Sequence, residues 1–125
     1  MFALVEVVGL LGSGPPPHTH LCVDEVYCLQ EGELEVLNGD QTFTALAGSV
    51  FHIPTGTLHA WRNATTTPDR PLLFIARAGF EGFFEEARVP GTDLSSPPPP
   101  TPGDFRRYLD IGRKYDTEYS PVPSW

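Results

Sequence analysis

Three histidines and one acid carry the chemistry this sequence could do. His18 and His20 stand in Gly12-Ser-Gly-Pro-Pro-Pro-His-Thr-His20, Glu25 follows shortly after, and His59 closes Gly48-Ser-Val-Phe-His-Ile-Pro-Thr-Gly-Thr-Leu-His59. On a strand, residues two apart share a face with Cα atoms roughly 6.6 Å apart, so His18 and His20 can converge on one ion while Thr19 points away. Glu25 lies across a turn at the start of the next run, and His59 comes from a separate hairpin punctuated by Gly48, Pro54 and Gly56. Three neutral nitrogens and a carboxylate suit one divalent first-row ion: Fe, Mn, Ni, Co or Zn. An octahedral ion with these four ligands keeps two positions open, which describes a catalytic site rather than a closed structural one. Such an ion lowers the pKa of a bound hydroxyl or enol, and Glu25 is the expected catalytic base for its proton. Asp24 also satisfies a short spacing from His20, but Glu25 has the longer reach. His52 has no partner in sequence and is not an expected ligand.

Short strands must position these residues. Apolar or alternating runs at Phe2–Val8, Glu25–Gln30, Glu33–Leu37, Gln41–Leu46, Ser49–Ile53, Thr57–Asn63 and Leu72–Ala78 are separated by Gly, Pro and Asn signals. Glu31-Gly32 and Asn38-Gly39 read as two successive hairpins, the second of type I′, and residues 65–71 as a polar loop. Pro15 to Pro17 deliver His18 in an extended conformation. Seven or eight antiparallel strands without an intervening helix predict an all-β barrel or sandwich. Phe80, Phe83, Phe84 and Ala87 share one helical face, and Thr101-Pro-Gly-Asp104 starts a second helix bearing Phe105, Tyr108, Leu109 and Gly112. Between them, residues 89–100 end in four prolines and read as an extended linker.

The spacings G-x5-H-x-H-x4-E-x6-G (Gly12, His18, His20, Glu25, Gly32) and G-x5-P-x-G-x2-H-x3-N (Gly48, Pro54, Gly56, His59, Asn63) resemble both motifs of the cupin superfamily. The resemblance implies a jelly-roll β-barrel over residues 1–79 whose interior holds one metal through His18, His20, Glu25 and His59. Residues 80–125 are then a helical and Pro-rich extension packed on the barrel, in a single domain. Phe2 to Glu6 and Gly79-Phe80-Glu81 with Phe83-Phe84 look like small cupins of the quercetin 2,3-dioxygenase type. That likeness implies O2-dependent opening of a flavonol or another enolisable hydroxy-ketone. An isomerase or decarboxylase of a sugar or keto acid, and a binding module without catalysis, use the same ligands. Tyr27 and Trp61 share the parity of Glu25 and His59 and are expected to face inward. With Phe51, Phe43 and Phe74 they are the candidate lining of an apolar substrate pocket. A sugar or dicarboxylate would call for an internal cation, and Arg62 has outward parity.

Sixteen acidic residues against eight basic ones give a formal charge of -8, which repels nucleic acid. No apolar run is long enough to span a membrane, and the start of the chain lacks the pattern of a signal peptide, so a cytoplasmic protein is expected. Cys22 and Cys28 are expected to be reduced and packed. Outward apolar positions such as Val26 and Cys28 suit a homodimer, and the remaining expected partner is a small-molecule substrate.

Overall fold

A computed structural model of the chain describes residues 1–9, 12–77, 79–89, 101–121 and 125. Most of the expected linker, from residue 90 to 100, and Ala78 lie outside the described residues. The elements run β1 (Phe2–Glu6), β2 (His18–His20), β3 (Asp24–Leu29), β4 (Glu33–Asn38), β5 (Gln41–Leu46), β6 (Val50–Ile53), β7 (His59–Arg62), β8 (Pro71–Ala76), α1 (Glu81–Ala87), α2 (Pro102–Lys114) and β9 (Thr117–Tyr119).

The strands form two antiparallel sheets, ordered β1-β8-β3-β6 and β5-β4-β7-β2-β9. They face each other as a jelly-roll sandwich and do not close into one continuous barrel among the described residues. Alternation explains the core: Leu29 of the first sheet meets Leu34, Val36 and Ala45 of the second, Tyr27, Ile53 and Leu73 form a neighbouring cluster that shares Phe51 and Trp61 with it, and Ile75 packs with Val23, Phe80 and Phe83. The period-2 pattern that buries these residues also turns Phe74 outward, beside Phe2 at 5.9 Å between ring centroids. Phe2, Leu4, Val50 and Phe74 are exposed on that outer face.

Four local features differ from the sequence expectation. Strands β3 and β4 belong to opposite sheets, so Glu31-Gly32 is a corner between layers rather than a hairpin turn. The β4–β5 hairpin has Asn38 paired with Gln41, leaving Gly39 and Asp40 as its loop. With Gly39 at φ 67° and Asp40 not at positive φ, the pattern is that of a II′ turn rather than I′. The chain also adds β9 after the second helix and pairs it with β2, register His18↔Tyr119 and His20↔Thr117. The polar 65–71 loop is not wholly solvated either. Asp69 is fully buried because Gly9 and Asp69 exchange backbone hydrogen bonds that draw the loop against the first strand's exit.

The helices sit where the sequence puts them. Thr101 caps α2 through a reciprocal pair with Asp104, and Pro102 opens the helix. In α1 the buried face carries Phe83, which joins Val23, Ile75 and Phe80 in one apolar cluster with Tyr108, Ile111 and Tyr115 of the α2 region. Burying a phenylalanine contributes roughly 1.5–3 kcal/mol, so Phe80 and Phe83 alone can seat the helical layer. Polar clamps reinforce it: Lys114 pairs with Glu86 at 2.7 Å, Tyr115 donates to Glu86, and Arg107 donates to the Ala87 carbonyl at 3.1 Å. Phe105, expected on the buried stripe, stays half exposed.

Gly32 stands at the corner between the sheets. Its φ is +85°, and a Cβ there would stand 2.8 Å from the Asp69 Cα and the Pro68 carbonyl oxygen. Gly48, at φ +91°, has open space around it. Gly32→Ala is expected to cost about 3 kcal/mol through strain plus collision with backbone, and Gly48→Ala only about 1 kcal/mol. Urea midpoints of the two variants measure the difference.

Candidate metal centre

Strand register assembles the site from both sheets. His18 pairs directly with His59 across β2 and β7, and His20 lies two residues along the same face. Glu25 reaches in from β3 on the facing sheet, where it pairs with Ile53 and Ile75. All four side chains are buried, none more than 6% exposed. The three imidazoles offer ligand nitrogens within 4.8 Å of one another. The Glu25 carboxylate stands 3.3 Å from His20 Nε2 and 3.2 Å from His59 Nε2.

Each imidazole is oriented by its other nitrogen. His18 Nδ1 contacts the Pro16 carbonyl at 2.8 Å, His59 Nδ1 the Thr57 carbonyl at 2.9 Å, and His20 Nδ1 the Thr117 hydroxyl at 3.0 Å. A carbonyl can only accept, so His18 and His59 donate from Nδ1 and carry a lone pair on Nε2. His59 Nε2 is buried without a hydrogen-bond partner. An orphaned buried acceptor beside two further imidazoles and a carboxylate is the arrangement a divalent cation satisfies. The residues therefore fit a transition-metal ion.

Electrostatics agree with that fit. Burial, aided by the neighbouring His59 and His20, pushes the His18 pKa down to about 3, so its nitrogen is neutral and available at ordinary pH. Burial pushes the Glu25 carboxyl upward, but the close His20 and His59 imidazoles outweigh it and hold the group below the usual carboxylate range. Tyr27 donates to Glu25 Oε2 at 3.0 Å, and burial, then the Glu25 charge, drive its own pKa well above the ordinary phenol value.

The other candidates are distributed around this centre unevenly. Asp24 points outward, accepting from the Thr55 amide at 2.6 Å and hydroxyl at 2.7 Å, and His52 is exposed 3.8 Å from it. Tyr27, Phe51 and Phe43 form a ladder of rings, Tyr27 stacked on Phe51 at 5.0 Å and Phe51 edge-on to Phe43 at 5.3 Å. Trp61 packs on the same core. That ladder starts at Tyr27, which touches Glu25, and runs out at a half-exposed Phe43. Phe74 cannot line a pocket at all, because it lies on the outer face. Further rings border the centre from the helical layer and β9: Phe80 sits edge-on to His20 at 4.6 Å and Tyr119 lies 6.0 Å from His18. Thr117 and Tyr119 escape sequence reading because Thr-Glu-Tyr is three residues long, too short for alternation to declare a strand. Cys22, expected to pack, is exposed, and Cys28 is half-buried; both are free.

Two measurements follow from this geometry. Thr117→Val is expected to lower metal affinity about 10–100-fold in a chelator competition, with Thr117→Ser close to the parent. His18 has a folded-state pKa below its unfolded value, so its stabilisation is full above pH 6.5 and is lost as pH falls toward about 3. Metal-free protein should therefore lose stability by roughly 1.4 kcal/mol per pH unit across that window from this group, and His18→Gln should flatten the slope.

Residues 9–75, more than half of the chain, match the family model described as a cupin domain. No curated protein sequence matches the chain. Among solved structures, the TT1209 protein from Thermus thermophilus is 28% identical over 60% of this chain and 71% of its own, with a TM-score of 0.58. The DMSP lyase DddQ from Ruegeria pomeroyi DSS-3 is 27% identical over 62% of this chain and 39% of its own, TM-score 0.55. A sugar phosphate isomerase, SPO2919 from Silicibacter pomeroyi DSS-3, is 24% identical over 62% of this chain and 51% of its own, TM-score 0.57. This chain thus spans about half or less of the length of the last two. With a matching domain model whose bounds enclose His18, His20, Glu25 and His59 and, but for Ala76, the strands of both sheets other than β1 and β9, the chain belongs to the cupin family.

Proposed function

We propose that this cupin is a metal-dependent dioxygenase acting on a flavonol-like or other enolisable small molecule. The observation that carries the reading is a buried Glu25 carboxylate among three imidazoles, in a site bordered by aromatic rings. All eight Lys and Arg residues are exposed. Arg62 is paired outside with Glu35 at 2.6 Å. A phosphorylated sugar or a dicarboxylate would have no cationic side chain to meet its second charge, which favours a neutral or singly charged substrate.

A divalent transition ion held by His18, His20, Glu25 and His59 would supply Lewis acidity toward the substrate hydroxyl and, if redox-active, a route for electrons to O2. The chain's own part is proton handling and exclusion of water. Glu25 accepts the hydroxyl proton, leaving an electron-rich enolate to react with O2. Tyr27 holds one carboxylate oxygen by its O–H, which aims the other toward the reacting group. Phe80 and the layer behind it keep bulk water from the enolate.

Base-driven elimination without O2 is the second reading, favoured by the 27% identity to a protein named as a DMSP lyase. Oxygen-electrode assays with quercetin and a panel of enolisable compounds separate the two. O2 uptake matching substrate loss supports the dioxygenase, whereas substrate loss without uptake supports the lyase. Glu25→Gln should lower turnover at least 100-fold while much of the metal stays bound; unchanged turnover would remove Glu25 from the base role.

We also infer a homodimer formed through the outer face of the β1-β8-β3-β6 sheet, whose exposed Phe2, Leu4, Val50 and Phe74 give it apolar surface. Light scattering at micromolar concentration should give about twice the 13.7 kDa chain mass; a monomeric mass would overturn this.

A further inference from the structure

The rings bordering the metal centre form a closed circuit. Centroid distances step from His18 to His20 (4.9 Å), Phe80 (4.6 Å), Phe83 (5.3 Å), Tyr108 (5.1 Å) and Tyr119 (6.4 Å), then back to His18 (6.0 Å). Four of these six side chains come from residues 80–119, beyond the segment that matches the cupin domain. Any wall they give the site is therefore particular to this chain's helical extension.

Only two of those four carry a polar atom. Tyr119 has its hydroxyl driven against Gly112 of α2, where a Cβ would have no room beside the phenol oxygen. That hydroxyl is committed to the helix flank. Tyr108 is different: its ring is held between Phe83 and Tyr119 and packs into the Phe80–Phe83 cluster, and its hydroxyl has no hydrogen-bond partner among the described residues. Burial, then Tyr119 and the Glu25 carboxylate, push its pKa up, so the group is a neutral O–H donor that lies within the field of Glu25. Tyr108 is half-buried and its hydroxyl is not sealed from solvent, so an acceptor can still reach it.

We propose that Tyr108 is the substrate-positioning residue of this site, donating its O–H to an oxygen of a compact molecule that binds the His18–His20–His59–Glu25 centre through a neighbouring enolisable hydroxyl. The substrate class is then small hydroxy-ketones carrying at most one negative charge, with the carbonyl toward α2 and the apolar edge against Phe80 and Phe83. This deepens the metal-centre reading and rests on it. It also assigns the helical extension a part in choosing the substrate, since Tyr108 belongs to α2.

The test uses the full chain loaded with Co(II), whose visible spectrum reports ligands entering the centre. Maltol, a compact hydroxy-ketone, is one probe; 1-methylimidazole, which has no acceptor left once its nitrogen is ligated, is the other. Tyr108→Phe should weaken maltol binding about tenfold and leave both Co(II) affinity and 1-methylimidazole binding as in the parent. Tyr119→Phe, lacking the same role, should bind maltol like the parent. Unchanged maltol affinity in Tyr108→Phe, or an equal weakening of both probes, would overturn the positioning role. Failure of the parent chain to take up Co(II) would instead overturn the metal centre and the role that rests on it.

Discussion

Each imidazole at the centre has two nitrogens and can turn only one of them inward. The acceptors outside decide which: the Pro16 and Thr57 carbonyls bond two Nδ1 atoms, and the Thr117 hydroxyl meets the third. Those contacts leave three Nε2 atoms converging beside Glu25, in a volume too buried for water to neutralise the carboxylate cheaply. Much of the surrounding structure serves this requirement. The proline run before His18 sets one acceptor, the turn before His59 sets another, and β9 brings the last. Two facing sheets are needed because no single strand could hold the acid opposite the bases.

The ligands are legible in sequence because their relations are local. His18 and His20 need only a strand between them, and Glu25 and His59 are fixed by turn glycines a few residues away. The same locality explains the capped start of α2, where Thr101 and Asp104 meet within one turn. Relations spanning sheets are less visible. Alternation told which residues of a strand share a face but not which face is inside, so Phe74 read as readily inward as outward. Whether Glu31-Gly32 turns back within a sheet or crosses to the other depends on the contact of Gly32 with residues 68 and 69, far along the chain. Thr117 carries no motif at all; its role exists only because β9 pairs with β2.

Charge is sorted by layer. The basic side chains all remain at the surface, several of them paired with acids there, while the interior holds one ionised acid against its imidazoles and a second carboxyl, Asp69, whose pKa burial pushes up. The interior field is thus set by Glu25 and by whatever cation joins it, with no arginine to blur the result. Neutral phenols at Tyr27 and Tyr108 shape that field without adding charge to it. A site of this kind distinguishes molecules by where their oxygens lie rather than by how many charges they bear.

The contact between His20 and Thr117 joins residues 97 positions apart. During synthesis at the ribosome, the strands bearing His18, His20, Glu25 and His59 leave the exit tunnel long before residue 117 has been made. For that interval β2 has an unpaired edge, and His20 has no outer partner to fix its ring. The pairing of β9 therefore acts in time as well as in space, fixing the His20 ring only once residue 117 has been made.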